Sequence, residues 1–387
     1  MDKKKLVRIT TVPISLEKLL EGQLSFMSNH FDVTAISSED KRLNLYGDKE
    51  GVETHYLELT RKITPLKDLI AVFKLVKYLR KEKPQIVHSH TPKAGIVGML
   101  SAYIARVPIR LHTVAGLPLM EAGGVKRKVL NIVEKLTYTC ATKVYPNSQG
   151  LKDFIVEEKL TLTEKIKIIG NGSSNGIDTT YFDPTRYSVN DTSVLKESLN
   201  ISSEDFIFIF VGRLVGDKGI NELVKAFVSI SHSYDTVSLL LVGPLETELD
   251  PLDSITLKHI NEHPKIIATG YQTDVRPYFA ASNALVFPSY REGFPNVVLQ
   301  AAAMELPCVV SNINGCNEII ENGTNGLIVP VKQHLPLEKA MKEMFNDQKL
   351  FAVLKKNTRT RIVQNYDRKE IWNEILKEYE SLIDATN

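Results

Sequence analysis

Residues 205–243 read DFIFIFVGRLVGDKGINELVKAFVSISHSYDTVSLLLVG. The runs DFIFIFVG (205–212) and VSLLLVG (237–243) are rich in Val, Ile, Leu and Phe and lack the strict alternation of half-exposed strands. Such runs suit strands buried on both faces, as in a parallel sheet covered by helices. The turn VGRLVGDKG (211–219) between them carries Arg213 and Lys218, five positions apart. Open α/β sheets bind ligands outside the carboxyl ends of their strands, so chemistry is sought first in this turn. Gly212 lets the backbone turn tightly. Arg213 and Lys218 would converge on one anionic group, a diphosphate by preference, with Arg as a fork and Lys as a point charge. Two solvated loop charges are the alternative.

The same rhythm extends in both directions. Downstream follow KIIATGY (265–271), NALVFPS (283–289), PCVVSN (307–312) and GLIVP (326–330). Upstream lie LVRITTV (6–12), DVTAIS (32–37), THYLEL (54–59), QIVHSH (85–90), IRLHTV (109–114), KVYPNS (143–148) and KIKIIG (165–170). Helical stretches separate them, such as 66–83, where Leu69, Ile70, Phe73, Val76 and Leu79 recur at spacings of three and four, and 124–141. The polar, Gly- and Pro-containing run 171–205 has the composition of a linker. The expected fold is α/β, with two doubly wound, Rossmann-like domains facing across a cleft. The first spans 1–180 and the second 190–365, joined near 175–195. A charged amphipathic helix at about 366–387, anchored by Trp372 and Ile375, packs back on the first domain.

A chain of 387 residues, 43% hydrophobic and 24% charged, suits two domains and excludes disordered and fibrous classes. Its net charge of +2 conceals 28 basic against 19 acidic residues through position 180, and 20 against 27 beyond it. Opposite signs suggest different partners for the two halves, unless the split is random surface variation. Three cysteines without C-x-x-C spacing argue against a disulfide framework and a structural zinc, and for a reducing, cytoplasmic setting. The start, MDKKKLVRITTVPIS, has too short an apolar run for a signal peptide, and no run of 18 apolar residues spans a membrane.

A second motif, PSYREGFPNVVLQAAAMELP (288–307), also follows a buried strand. Backbone amides at the start of a helix from about 296 to 305 suit a phosphate. Glu292 suits the hydroxyls of a sugar ring, or simply caps the helix.

G-R-L-x-x-x-K-G followed by R-E-G-F-P-N resembles the retaining glycosyltransferases of the GT-B fold, family 4, and the likeness covers essentially the whole chain. SNINGCNEIIENGTNGLIVP (311–330) is similar to the family's donor-domain segment. HTVAGLPL (112–119) and GSSNGID (172–178) resemble bacterial members that build capsule, O-antigen or lipid-linked oligosaccharides. The resemblance implies that Arg213 and Lys218 hold the nucleotide diphosphate and that Glu292, the first glutamate of an E-x7-E motif, contacts the donor sugar. The turn at Gly212 and Gly293 and the amides of Phe294, Asn296 and Val297 would approach the phosphates. The second glutamate, on the ribose hydroxyls in the family, is Gln300 here, which keeps a carbonyl acceptor and loses the charge. His112 is either a donor-sugar contact, as in similar enzymes, or a structural histidine. Tyr271 and Gln272 meet the nucleotide base or pack at the rim. On the acceptor side, Gly116 allows close backbone approach, and His88 and His90 line the cleft rather than a metal.

There is no D-x-D metal-diphosphate motif, no P-loop and no G-x-G-x-x-G after the first strand. The resemblance therefore implies transfer without metal or other cofactor, from a UDP-hexose or UDP-N-acetylhexosamine to a glycan on a polyprenyl diphosphate. Retention and proton transfer to the leaving phosphate on one face come with the family. Nucleic acid is not an expected partner. Eight Lys/Arg within 61–83, beside Leu69, Phe73 and Val76, would lie on an anionic membrane, or the helix buries that face in its domain. The alternatives are an epimerase of the same fold and a non-catalytic nucleotide-sugar-binding scaffold.

Overall fold

The computed structural model describes residues 3–62, 64–120, 122–246, 248 and 250–386. Met1, Asp2 and Asn387, at the outer ends of the expected domains, lie outside the described residues. The chain forms two compact units, one running to Asn175 and resuming at Arg368, the other spanning Gly176–Asp367.

The first unit holds β1 (Lys5–Ile9), β2 (Asp32–Ser37), β3 (Glu53–Tyr56), β4 (Ile86–His90), β5 (Ile109–Val114) and β6 (Lys143–Pro146). They pair in parallel in the order β3-β2-β1-β4-β5-β6. The register sets Arg8 beside His88 and His90 beside Thr113. By the period of two, Arg8, His88, His90 and Thr113 share one face of the sheet, and Ser89 and His112 the other.

KIKIIG makes no strand among the described residues. Ile166 forms an isolated bridge to Val144, and side chains hold the rest. The Lys165 ammonium caps the carbonyls of Tyr138, Thr139 and Ala141 at the end of helix Gly124–Cys140. Lys167 pairs with Glu378 of helix Arg368–Asp384. That tail helix buries Ile371, Ile375, Tyr379 and Ile383 in the same core as Leu6, Leu111 and Tyr145. Trp372 joins it, its indole N–H donating to Asn175 Oδ1 at 2.6 Å and its ring 5.3 Å from that of Phe26.

Helix Pro65–Glu82 has the expected period but a different inner face. It buries Ala71, Val72, Leu75, Val76 and Leu79, and leaves Leu66, Leu69, Ile70 and Phe73 exposed. The helix carries two apolar stripes, and only one can face the sheet.

The second unit holds β7 (Phe206–Val211), β8 (Val237–Val242), β9 (Ile266–Gly270), β10 (Ala284–Phe287), β11 (Cys308–Ser311) and β12 (Gly326–Val329). Their order is β12-β11-β10-β7-β8-β9, again all parallel. Ile207–Phe210 and Leu239–Leu241 are wholly buried, as strands covered on both faces require. The polar run 171–205 is not all linker: Val189–Ser198 is a helix, begun by a capping box between Ser188 and Asp191. That S-x-x-D signal was present in the sequence but masked by the composition around it.

Candidate active site

In the second sheet the strand order reverses at β7, flanked by β8 and β10. The loops that leave β7 and β10 therefore rise side by side at the topological switch point, where open α/β sheets bind ligands. They carry the two motifs. After β7 the chain turns through Gly212 and Arg213, makes a short 3-10 turn at Gly216–Lys218 and enters helix Ile220–Ser231. Gly219, at φ 70°, ends the turn, and a Cβ there would collide with the carbonyl of Pro288. Glycine thus lets the two loops touch.

Several bonds stitch these loops together. Tyr290 N–H donates to Asp217 O at 2.9 Å, and the Arg291 guanidinium to Asp217 Oδ2 at 2.9 Å. From a third segment, Asp250 O accepts from Gly216 N–H at 3.1 Å and its carboxylate from Asp217 N–H. The Tyr290 hydroxyl donates to Glu222 Oε1 at 2.7 Å.

Held this way, the Lys218 ammonium meets Glu292 Oε1, which also accepts from Ser289 Oγ at 3.0 Å. Lys218 sits over the ring of Phe287, 5.8 Å from its centroid. The side chains of Lys218 and Glu292 are only 16% and 19% exposed, so water screens the pair weakly. Arg213 points elsewhere, to Glu246 at 2.8 Å, with its side chain 45% exposed. The two cations thus engage separate carboxylates rather than one shared point.

Helix Asn296–Ala303 follows, with Pro295, which has no side-chain acceptor, at its N-cap. The amides of Asn296 and Val297 lie in that first turn, Gln300 is half-buried on the second, and Phe294 packs its ring 5.5 Å from that of Tyr366. Gly315, after β11, seats this loop: at φ 72°, a Cβ would come within 2.9 Å of Gly293 O and 2.8 Å of Phe294 Cα. Asp217, Ser289 and Gly315 were not legible as site residues in the sequence, since nothing in local pattern tells which loops touch. Tyr271, 68% exposed, and Gln272, whose amide donates to Thr269 O at 3.0 Å, follow edge strand β9, which β8 separates from β7.

In the first unit, His112 lies in the second half of β5, closed in by its neighbours. It is 2% exposed, bonds Ser89 Oγ at 2.9 Å through Nδ1, and packs so closely on helix Pro92–Ile104 that a Cβ on Gly95 would strike its ring. Burial pushes its imidazole down to about 4. His88 and His90 are also buried, their rings stacked at 4.4 Å on the face that the tail helix covers. Among the described residues, nothing lies within 4 Å of a Cβ position at Gly116, so no contact with them requires glycine there. Among the described residues, no three His, Cys, Asp or Glu side chains gather where one metal ion would sit.

Two family models match. Glycosyl transferases group 1 covers residues 191–361, and the glycosyl transferase 4-like domain covers residues 26–172. The chain is 33% identical over 385 residues to the capsular polysaccharide biosynthesis glycosyltransferase CapM of Staphylococcus aureus, covering 99% of this chain and 98% of that one. It is 28% identical to the Escherichia coli UDP-Gal:alpha-D-GlcNAc-diphosphoundecaprenol alpha-1,3-galactosyltransferase, over 93% and 94% of the two chains. The fold resembles that of Anabaena HepE in complex with UDP, with a TM-score of 0.82 at 19% identity, covering 98% of this chain and all of that one.

Proposed function

The chain belongs to the GT-B glycosyltransferases of family 4 type, and from that premise we propose that it elongates a lipid-linked glycan in surface polysaccharide synthesis. The donor is a UDP-hexose or UDP-N-acetylhexosamine, bound by the second unit. The acceptor is a glycan on a polyprenyl diphosphate, bound by the first, and transfer proceeds with retention and without a metal. Relatives named for capsule synthesis and for a diphosphoundecaprenol acceptor support this assignment.

The observation that carries it is the pair Lys218–Glu292 at the β7/β10 switch point, beside the N-terminus of helix Asn296–Ala303. Helix amides and Lys218 supply positive charge where a departing diphosphate gathers negative charge, and preorganised groups of this kind account for most of the acceleration in many enzymes. Arg213 adds a second cation once it exchanges Glu246 for phosphate. Glu292 is placed to accept from sugar hydroxyls. The leaving phosphate oxygen takes the acceptor's proton.

The first unit supports work at a membrane. Helix Pro65–Glu82 presents exposed Leu66, Leu69, Ile70 and Phe73 among Lys67, Lys74, Lys77, Arg80 and Lys81. Helix Gly124–Cys140 exposes Val125, Val129, Ile132 and Leu136 near Lys126, Lys128 and Lys135. Helix Pro92–Ile104 packs against both, so the two stripes lie on one side of the sheet. Apolar side chains ringed by cations suit an anionic lipid surface. Among the described residues, no helix is long and apolar enough to cross a membrane.

The test is incubation with a panel of UDP-, GDP- and dTDP-sugars and a synthetic polyprenyl diphosphate glycan in the presence of EDTA. Extension of the glycan from a UDP-sugar, with an α-linkage seen by NMR, is expected. A donor left intact with every acceptor, or converted to its epimer, would overturn the assignment.

A further inference from the structure

Arg8, the fourth residue of β1, has none of its surface exposed. Its guanidinium donates to the Tyr379 hydroxyl at 2.9 Å, to Gln23 Oε1 at 2.6 Å and to His90 Nε2 at 2.8 Å. Every partner is neutral, and among the described residues no carboxylate is bonded to it. Arginine stays charged in proteins, and a buried charge is ordinarily balanced by a counter-charge.

The polar atoms left over around Arg8 converge. Among the described residues, Arg8 Nε, His90 Nδ1, Ser174 Oγ and Asn147 Oδ1 are buried without a hydrogen-bond partner, and all four residues line one cavity of about 20 Å³. Roughly 10–15 Å³ holds one solvent-sized particle. Because His90 Nε2 accepts from Arg8, the ring proton sits on Nδ1, which becomes a second orphaned donor. The Tyr379 hydroxyl, accepting from Arg8, donates its own O–H to His88 Nδ1 at 2.6 Å, and His88 Nε2 donates to Thr113 Oγ1 at 2.7 Å. Those bonds leave the slot lined by two N–H donors, Arg8 Nε on the cation and His90 Nδ1. Of the four orphaned atoms, Asn147 Oδ1 is the one pure acceptor. Asn147 Nδ2 donates to Ala115 O at 3.4 Å, and a half-turn that presented N–H to the slot would give up that long bond.

The slot lies where the first sheet reverses, between β1 and β4. Its walls come from elements far apart in sequence: β1, β4, the 173–174 loop and the tail helix, represented by Ile375.

We propose that this slot binds a small monovalent anion of about chloride size, which neutralises Arg8 and ties the tail helix to the first sheet. The slot is built wholly from residues of the first unit and serves that unit's cohesion. Anion binding stabilises the folded state by mass action, so stability follows the logarithm of anion concentration.

The experiment uses the full-length protein. Unfolding midpoints are measured in sodium chloride and in sodium gluconate at equal ionic strength, for wild type, Arg8→Met and Ser174→Val, and wild-type crystals are soaked in sodium bromide. The midpoint of wild type is expected to climb with chloride but not gluconate, and this response to vanish in either variant that folds. Bromide is expected to give an anomalous peak within hydrogen-bond distance of Arg8 Nε and His90 Nδ1. Equal wild-type midpoints in the two salts would overturn the proposal. So would a chloride response that survives in the variants, or a slot holding only water with no anomalous signal.

Discussion

The Lys218 ammonium and the Glu292 carboxylate are bonded to each other across 74 residues of sequence, with Ser289 Oγ donating to the same oxygen. Each therefore enters the site already oriented, and neither depends on the ligand for its position. Lys218→Met is expected to lower kcat by about 10²–10³, the cost of removing one preorganised donor to a developing charge. Glu292→Gln should lose rate with UDP affinity largely kept. Steady-state kinetics beside UDP calorimetry checks both. Wild-type rates would displace the site.

Arg213 makes its contact with Glu246 at a half-exposed position, so it is free to exchange partners. Arg213→Ala should weaken UDP binding by about 10- to 100-fold, the worth of a hydrogen bond to a charged group. Titration with and without Mg²⁺ should give the same loss.

Gln300→Glu introduces a carboxylate at the position that the resemblance assigns to the ribose hydroxyls. Charge-assisted hydrogen bonds are roughly twice as strong as neutral ones, so UDP should bind several-fold tighter. Unchanged or weaker binding by calorimetry would remove position 300 from the nucleotide contacts.

Leu69 and Phe73 are exposed on a helix whose other stripe fills the core. Leu69→Ser with Phe73→Ser should leave the unfolding midpoint nearly unchanged but cut sedimentation with phosphatidylglycerol vesicles by about tenfold or more, since each buried large apolar side chain contributes about 1.5–3 kcal/mol. Raising salt should weaken wild-type binding as well.

Glu134, buried in helix Gly124–Cys140, has its carboxyl raised to about 7 by desolvation. Below the ordinary carboxylate range it is neutral folded and unfolded alike. As pH rises toward 7 the unfolded chain ionises first, and stability is lost. Glu134→Gln should match wild type near pH 4 and exceed it above pH 7, by on the order of 3 kcal/mol at about 1.36 kcal/mol per pH unit. Urea unfolding at the two pH values checks this, and a gap that fails to open with pH would refute it.

Much of this molecule is local and therefore legible along the chain. Buried runs such as 206–211 and 237–242 carry their own signature because both faces of a parallel sheet are dry. The loop motifs at 212–218 and 292–297 follow those strands directly, so their place at a sheet end could be inferred. KIKIIG shows the limit: its composition is that of a strand, yet Lys165 and Lys167 find partners in helices and the ladder stops at Ile166.

The sequence alone determined the two α/β units, the motif loops and the family, because period, turn chemistry and spacing are properties of neighbouring residues. Tertiary structure alone decided which charges pair. It separated Arg213 and Lys218 onto different carboxylates, and it buried His112 against helix Pro92–Ile104. It also turned one apolar stripe of helix Pro65–Glu82 outward and closed the tail helix over Arg8. Each outcome depends on which of several chemically equivalent surfaces meets another through space, and strand order and crossovers between distant segments fix that choice.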